Sequence, residues 1–179
     1  MMDKVLKFCG IDLAVKRPSA VGLLLDSIIR VKELLTDEEI IEYCKDSEVV
    51  AIDSPLSHSR GFRNVDKEMI KRGYKVLPPS WMRSLVDRAI RLSLSFKKVI
   101  ETHPTSSMKN VGLDWRKLSR KKDIIDAVVC SLVAYFYHSG NIMVVRASDG
   151  EIFLLPKGKL EISKIDELTF QFKTFYQYR

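Results

Sequence analysis

Amides are scarce in this chain: two glutamines and three asparagines among 179 residues, beside 30 lysines and arginines. That bias is associated with high-temperature proteomes and points to a thermophilic origin. Cysteine is also sparse. Cys9, Cys44 and Cys130 are odd in number, widely spaced and set in apolar sequence, so they read as reduced core residues, not as a disulfide frame or zinc site, and they suggest a cytosolic chain. Long apolar runs are missing. The stretch from Ala127 to Tyr137 falls far short of the roughly 20 residues a membrane helix requires, and no apolar leader with a small-residue cleavage site opens the sequence. The expectation is therefore a soluble cytoplasmic protein without a membrane partner. No repeat or low-complexity linker divides it.

What is present is enough apolar sequence, 46%, to bury one substantial core, and a net charge of +7 that favours an anionic partner. Three short strands open the chain, "KVLKFCGIDLA", "PSAVGLLLD" and "SIIRVKELL", with Asp26-Ser27 offering a tight turn between the second and third. "TDEEIIEYC" reads as a short amphipathic helix with Thr36 as N-cap, followed by the strand "SEVVAID", so the order is βββαβ. Helical spacing recurs over residues 64–73 and 80–95, the latter with Trp81, Leu85, Ile90 and Leu94 near one stripe and Arg83, Arg88 and Arg91 elsewhere. The strand "KKVIET", a Pro-Thr-Ser-Ser turn and a basic loop lead to a buried helix from about Lys121 to His138. A hairpin around Asp149-Gly150 closes a domain expected to span residues 1–156, and residues 157–179 form a C-terminal extension.

Continuous apolar runs at Val49–Ile52 and Val99–Ile100 argue for parallel strands covered on both faces, and in such sheets sites form beyond the carboxyl ends. Asp12, Asp53 and Glu101 each close an apolar run at that end. Converging carboxylates repel one another, and folds tolerate them mainly where a cation neutralises them. "KKDIIDAVVCSL" adds Asp123 and Asp126 at i and i+3, on one helical face. Hard oxygen donors suit Mg²⁺ or Mn²⁺, and a pair of such ions supports phosphodiester cleavage.

These residues, "GIDLA", "AIDSPL", the RxxD segment at Arg63 to Asp66, "IETHP", the DxxDA opening of the buried helix and the closing "GEIFLLP", resemble an archaeal and bacterial family of predicted nucleases with an RNase H-like fold. The resemblance covers about residues 5 to 156. It implies an α/β fold with a mixed five-stranded sheet in the order 3-2-1-4-5 and helices on both faces. It also implies a metal site at Asp12, Asp53, Glu101 and Asp126, with Asp123 beside them, in which the acids are catalytic. Thr105 stands where the family pattern leads one to expect a further acid.

The segment "RKLSRKK" supplies Arg116, Lys117, Arg120, Lys121 and Lys122 directly before the acidic pair, as a candidate clamp for nucleic-acid phosphates. Arg60 and Arg63 follow Asp53 closely enough to share its rim; phosphate contact suits Arg60, and an ion pair with Asp66 suits Arg63. His58 lies in a loop, His103 is placed to fix a turn by hydrogen bonding, and His138 ends a helix where its cation favours the dipole. The tail "LTFQFKTFYQYR" reads as an edge strand or as a surface through which two copies would pair; base stacking is a further reading. The leading function is a metal-dependent nuclease, and the alternative is a catalytically silent nucleic-acid-binding or assembly protein. A phosphate loop of the actin-like ATPases at "GIDLAVKRPSAVG" would need two such domains, and 179 residues supply one.

Overall fold

The structure is a computed structural model and describes residues 4–178. Strands β1 (Lys7–Asp12), β2 (Ser19–Leu25) and β3 (Ile28–Leu34) form an antiparallel meander. At its second turn Asp26 and Ser27 take φ of 50° and 65°, the left-handed pair a two-residue hairpin requires. Helix α1 (Asp37–Cys44) starts with a reciprocal capping box. The Thr36 hydroxyl accepts from the Glu39 amide, and the Glu39 carboxylate accepts from the Thr36 amide, both at 3.1 Å. Strand β4 (Val49–Ile52) lies parallel to β1. Helices α2 (Asn64–Lys71) and α3 (Arg83–Ser93) precede β5 (Val99–Glu101), which lies parallel to β4. Helices α4 (Pro104–Val111) and α5 (Lys122–Ser139), the hairpin β6 (Met143–Ala147) and β7 (Gly150–Leu154), and the hairpin β8 (Gly158–Asp166) and β9 (Thr169–Gln177) complete the fold.

The main sheet runs β5-β4-β1-β2-β3-β9-β8, so it has seven strands where five are expected. The tail supplies the other two. Strand β9 is an inner strand between β3 and β8 and not an edge. Its phenylalanines face the core: Phe170 is fully buried, and Phe172 and Phe175 pack on Phe136 at 5.7 and 5.2 Å, which removes them from any base-stacking role, whereas Tyr176 points outward, 61% exposed.

The period-two alternation of the strands divides the core. Phe8, Val49 and Ala51 pack under α5, whereas Cys9, Ile11, Val50 and Ile52 meet α1 and α3 on the opposite face. Helix α5 lies so close to the sheet that a Cβ on Gly10 would sit 2.1 Å from the Ser131 amide nitrogen, and one on Gly22 2.9 Å from the Ala127 carbonyl oxygen. Gly10 and Gly22 are cross-strand partners, so together they make one notch for the helix backbone.

Three expectations are corrected. The Pro-Thr-Ser-Ser segment is the first turn of α4: Pro104 suits the first helical position, and Gly112 ends the helix at φ 61°. In α3 the packed face is Val86, Ala89 and Leu92, leaving Trp81 74% and Leu94 83% exposed. Arg88 is instead buried, because it donates to Asp37 at 2.7 Å and to the Ala14 and Leu35 carbonyls at 2.6 and 2.8 Å. Finally, Cys9 and Cys44 form a disulfide between β1 and the end of α1, and only Cys130 remains free and buried. Alternation puts Cys9 on the α1 face, where the two Cα atoms stand 5.6 Å apart.

Two consequences are measurable. Gly10→Ala forces the α5 backbone off the sheet and is expected to cost at least about 3 kcal/mol, read as a lowered denaturation midpoint; an unchanged midpoint would reject the close approach. Replacing Cys9 and Cys44 together with alanine opens a link across 35 residues and is expected to cost about 3 to 4 kcal/mol, with oxidised and reduced wild type differing equally and the double variant indifferent to reductant.

Candidate metal and phosphate site

Asp12 ends β1, and its parity matches Phe8 and Gly10, so its side chain faces α5. Asp126 stands in the second turn of α5 and Asp123 in its first. Carboxylate oxygens of Asp12, Asp123 and Asp126 all lie within 4.8 Å of one another. Asp53, one residue past β4, has the same parity as Val49 and Ala51 and lines the same cavity as Asp12. Asp12 is 4% exposed, and its Oδ2 has no hydrogen-bond partner.

Burial and mutual repulsion act together on these groups. Burial first, then Asp53, Asp126 and Asp123, push Asp12 up to about 9, against the opposing pull of Arg17. Burial and Asp126 push Asp53 up to about 7. Asp126 is also raised, by burial, with Lys122 opposing.

Two cations stand among the acids. Lys122, one turn before Asp126, reaches its two oxygens at 2.9 and 3.1 Å and also donates to the Thr105 hydroxyl at 2.8 Å. Thr105 thus holds the lysine at the position where a further acid was expected. Arg17, from the β1–β2 loop, lies 3.1 Å from Asp123 and 3.8 Å from Asp12. Arg17 is not among the residues marked by the strand-end pattern; the signal that points to it is its place in the loop that follows a strand-end acid.

Glu101 does not join the cluster. It pairs in register with Ile52, so it faces away from α5, whereas Ile100 beside it packs under the helix. Both its oxygens accept from Arg63, at 2.9 and 2.5 Å, and one also accepts from the Leu56 amide at 2.9 Å. Arg63 donates in addition to both oxygens of Asp66, at 2.8 and 3.0 Å, and to Ser57 at 3.1 Å. The guanidinium is 3% exposed and consumed between two carboxylates, which corrects its assignment to nucleic acid and that of Glu101 to metal. The pair instead forms a buried strut. Its helix is clamped by Asp149 at the tip of the β6–β7 hairpin, which accepts from the Asn64 and Val65 amides at 2.7 and 3.0 Å.

Of the basic segment only Lys122 reaches the acids. Arg116 lies over the Trp115 ring at 4.8 Å, Lys121 pairs with Glu33 at 3.2 Å, and Lys117 and Arg120 are exposed. Arg60 is exposed beside Arg83. His58 pairs with Asp87 at 2.7 Å, His138 stacks on Phe8 at 5.2 Å, and His103 contacts Ser106 at 2.6 Å, with burial lowering it to about 4.

Asp12 and Asp53 line a cavity of about 250 Å³ together with Arg17, the Arg63–Glu101 pair and the apolar Leu77, Met82 and Leu85, whereas Asp123 and Asp126 stand outside its lining. No described helix is long and apolar enough to cross a membrane. Comparison with protein-family models, with curated proteins and with solved structures finds no match for the chain.

The raised carboxyls make stability depend on pH. A carboxyl that binds its proton more tightly folded than unfolded contributes stability below its ordinary pKa and loses it as pH rises through the folded value. The lowered carboxylates and His103 exchange their protons at lower pH, so between pH 7 and pH 9 the Asp12 shift dominates. The melting temperature of the metal-free protein is expected to fall across that interval, and Asp12→Asn to flatten the slope while melting at or above wild type in EDTA. A rise with pH, or an equal slope in the variant, would contradict the geometry.

Proposed function

We propose that this chain is a divalent-metal-dependent nuclease with an RNase H-like fold. The fold assignment is supported by the five strands β3-β2-β1-β4-β5, with β1 to β3 antiparallel and β4 and β5 parallel to β1. The activity is supported above all by the buried, unpartnered Asp12 Oδ2 at the centre of converging carboxylates. A buried carboxyl oxygen without a hydrogen-bond partner is costly unless a proton or a cation completes it, and Arg17 at 3.8 Å is too far to do so by a hydrogen bond. The donors are all carboxylate oxygens, which suits Mg²⁺ or Mn²⁺, and Asp12, Asp53, Asp123 and Asp126 would hold the metal. Bound there, such an ion lowers the pKa of a coordinated water and stabilises charge on a phosphodiester.

The chain's own residues set the remaining terms. Asp12 and Asp53 both hold protons more tightly than ordinary carboxyls, so metal loading there would release protons. Lys122, held by Asp126 and Thr105 at the edge of the acids, would offer its ammonium to a phosphate oxygen there. Arg17 is placed to do the same beside Asp123. The net charge of +7 draws a polyanion toward this rim.

One observation favours a second reading. Arg17 and Lys122 already neutralise part of the cluster, so the same acids serve a catalytically silent nucleic-acid-binding or assembly protein that needs no metal.

Thermal melts separate the two. Mn²⁺ is expected to raise the wild-type melting temperature and to leave Asp12→Asn nearly unmoved, since a ligand stabilises only through binding to the folded state. On single-stranded, duplex and branched substrates, cleavage is expected to fall at least about 100-fold in the variant, on the scale of losing a positioned charged group. Equal Mn²⁺ stabilisation of both proteins, or binding without any turnover, would favour the silent binder.

A further inference from the structure

Trp81 is the largest apolar side chain that the fold leaves uncovered, 74% exposed, on a surface where tryptophan is ordinarily well buried. It belongs to the short 3-10 turn Pro79–Trp81, entered through Pro78. The turn closes without the indole: the Trp81 amide donates to the Pro78 carbonyl at 3.1 Å and the Met82 amide to the Pro79 carbonyl at 3.0 Å. Consecutive prolines stiffen the backbone of the turn, so the segment that carries the ring has little backbone entropy left to lose. Its position is specific. Leu77 on one side and Met82 on the other form the apolar wall of the acid cavity, and Leu77 is itself 56% exposed.

Charge on the same rim matches a polyanion. Arg83 follows this turn and shares a shallow hollow with Arg60, and neither makes an ion pair among the described residues. An exposed indole whose chain neighbour Met82 lines the cavity of Asp12 and Asp53, and which stands two residues before Arg83 in a hollow shared by Arg60, His58 and Asp87, has the features of a single-strand platform: a flat π-face for a base and cations for phosphates.

We propose that Trp81 stacks on an unpaired nucleobase next to the phosphate held at the acid cavity, so that the chain takes single-stranded nucleic acid or an unpaired strand end. The inference rests on the reading of the acid cavity as a nucleic-acid site. A base inside a duplex is stacked on both faces and offers none to an indole without being extruded.

The chain has two tryptophans, so Trp115→Phe leaves Trp81 as the sole indole reporter. Titrating that protein with a short oligo-dT or oligo-U strand is expected to quench its fluorescence, and a blunt duplex of equal length is expected to leave it unchanged. Trp81→Ala is expected to weaken single-strand binding about 5- to 100-fold, and Trp81→Phe to retain most of it. The exposed site makes loss of folding in these variants unexpected, and circular dichroism checks it. Where cleavage is observed, KM for single strands rises in Trp81→Ala with kcat little changed. Absence of quenching, or an alanine variant that binds like wild type, overturns the proposal. So does an alanine variant whose only defect is loss of self-association in sedimentation, which would make the patch a protein contact. Binding is read without turnover: a protein that quenches but never cleaves removes the nuclease reading and leaves the platform standing, and one that cleaves duplex and single strands alike with Trp81 silent does the reverse.

Discussion

The candidate site depends on how closely α5 can approach the sheet. Gly10 and Gly22, paired across β1 and β2, remove the side chains that would hold the helix away, and the Ser131 and Ala127 backbone settles into the gap. Only at that distance do Asp123 and Asp126, in the first two turns of α5, meet Asp12 at the end of β1. The same helix buries most of its length against the strands, so hydrophobic burial holds the acids together against their repulsion.

That arrangement makes the acid cluster an electrostatic compromise. Buried carboxyls this close repel one another, and the fold answers with Asp12 and Asp53 that hold their protons more tightly than usual and with Lys122 and Arg17 at the flanks. Arg63 follows a different logic. Held between Asp66 and Glu101 and buried, it is a satisfied ion network that ties the end of β5 to α2, and Asp149 caps that helix from the β6–β7 hairpin. The acids used for chemistry in our proposal are incompletely paired, and those used for architecture are fully paired.

The disulfide between Cys9 and Cys44 lies on the opposite face of the sheet from the acids, among Ile11, Val21 and Ile40. It anchors α1 to the central strand. A disulfide beside a composition poor in asparagine and glutamine is compatible with the intracellular disulfides found in hyperthermophiles as well as with an oxidising compartment.

Much of this was legible from local pattern. Strand-end acids after apolar runs, the turn at Asp26-Ser27, the Thr36 cap and the buried helix beginning near Lys121 each depend on residues a few positions apart, and each appears where the sequence puts it. Trp81 and Arg88 were misread because helical spacing defines a stripe but not which stripe is covered, and Arg88 found two carbonyls and Asp37 to satisfy it in the core. Glu101 looked equivalent to Asp12 and Asp53 because all three end apolar runs. The register of β5 against β4 turned it to the other face, and a one-residue offset reverses every side chain in a strand. The Cys9–Cys44 bond, the Arg17 and Lys122 counterions and the Glu101–Arg63 strut likewise join residues brought together by the sheet. By itself, then, the sequence determined most of the elements, α4 and the β8–β9 hairpin apart, and which chemical groups stand at their ends, since those follow from short-range spacing. Which of the groups share a space was decided by tertiary structure alone, because face and proximity are set by strand register and by the depth at which α5 packs.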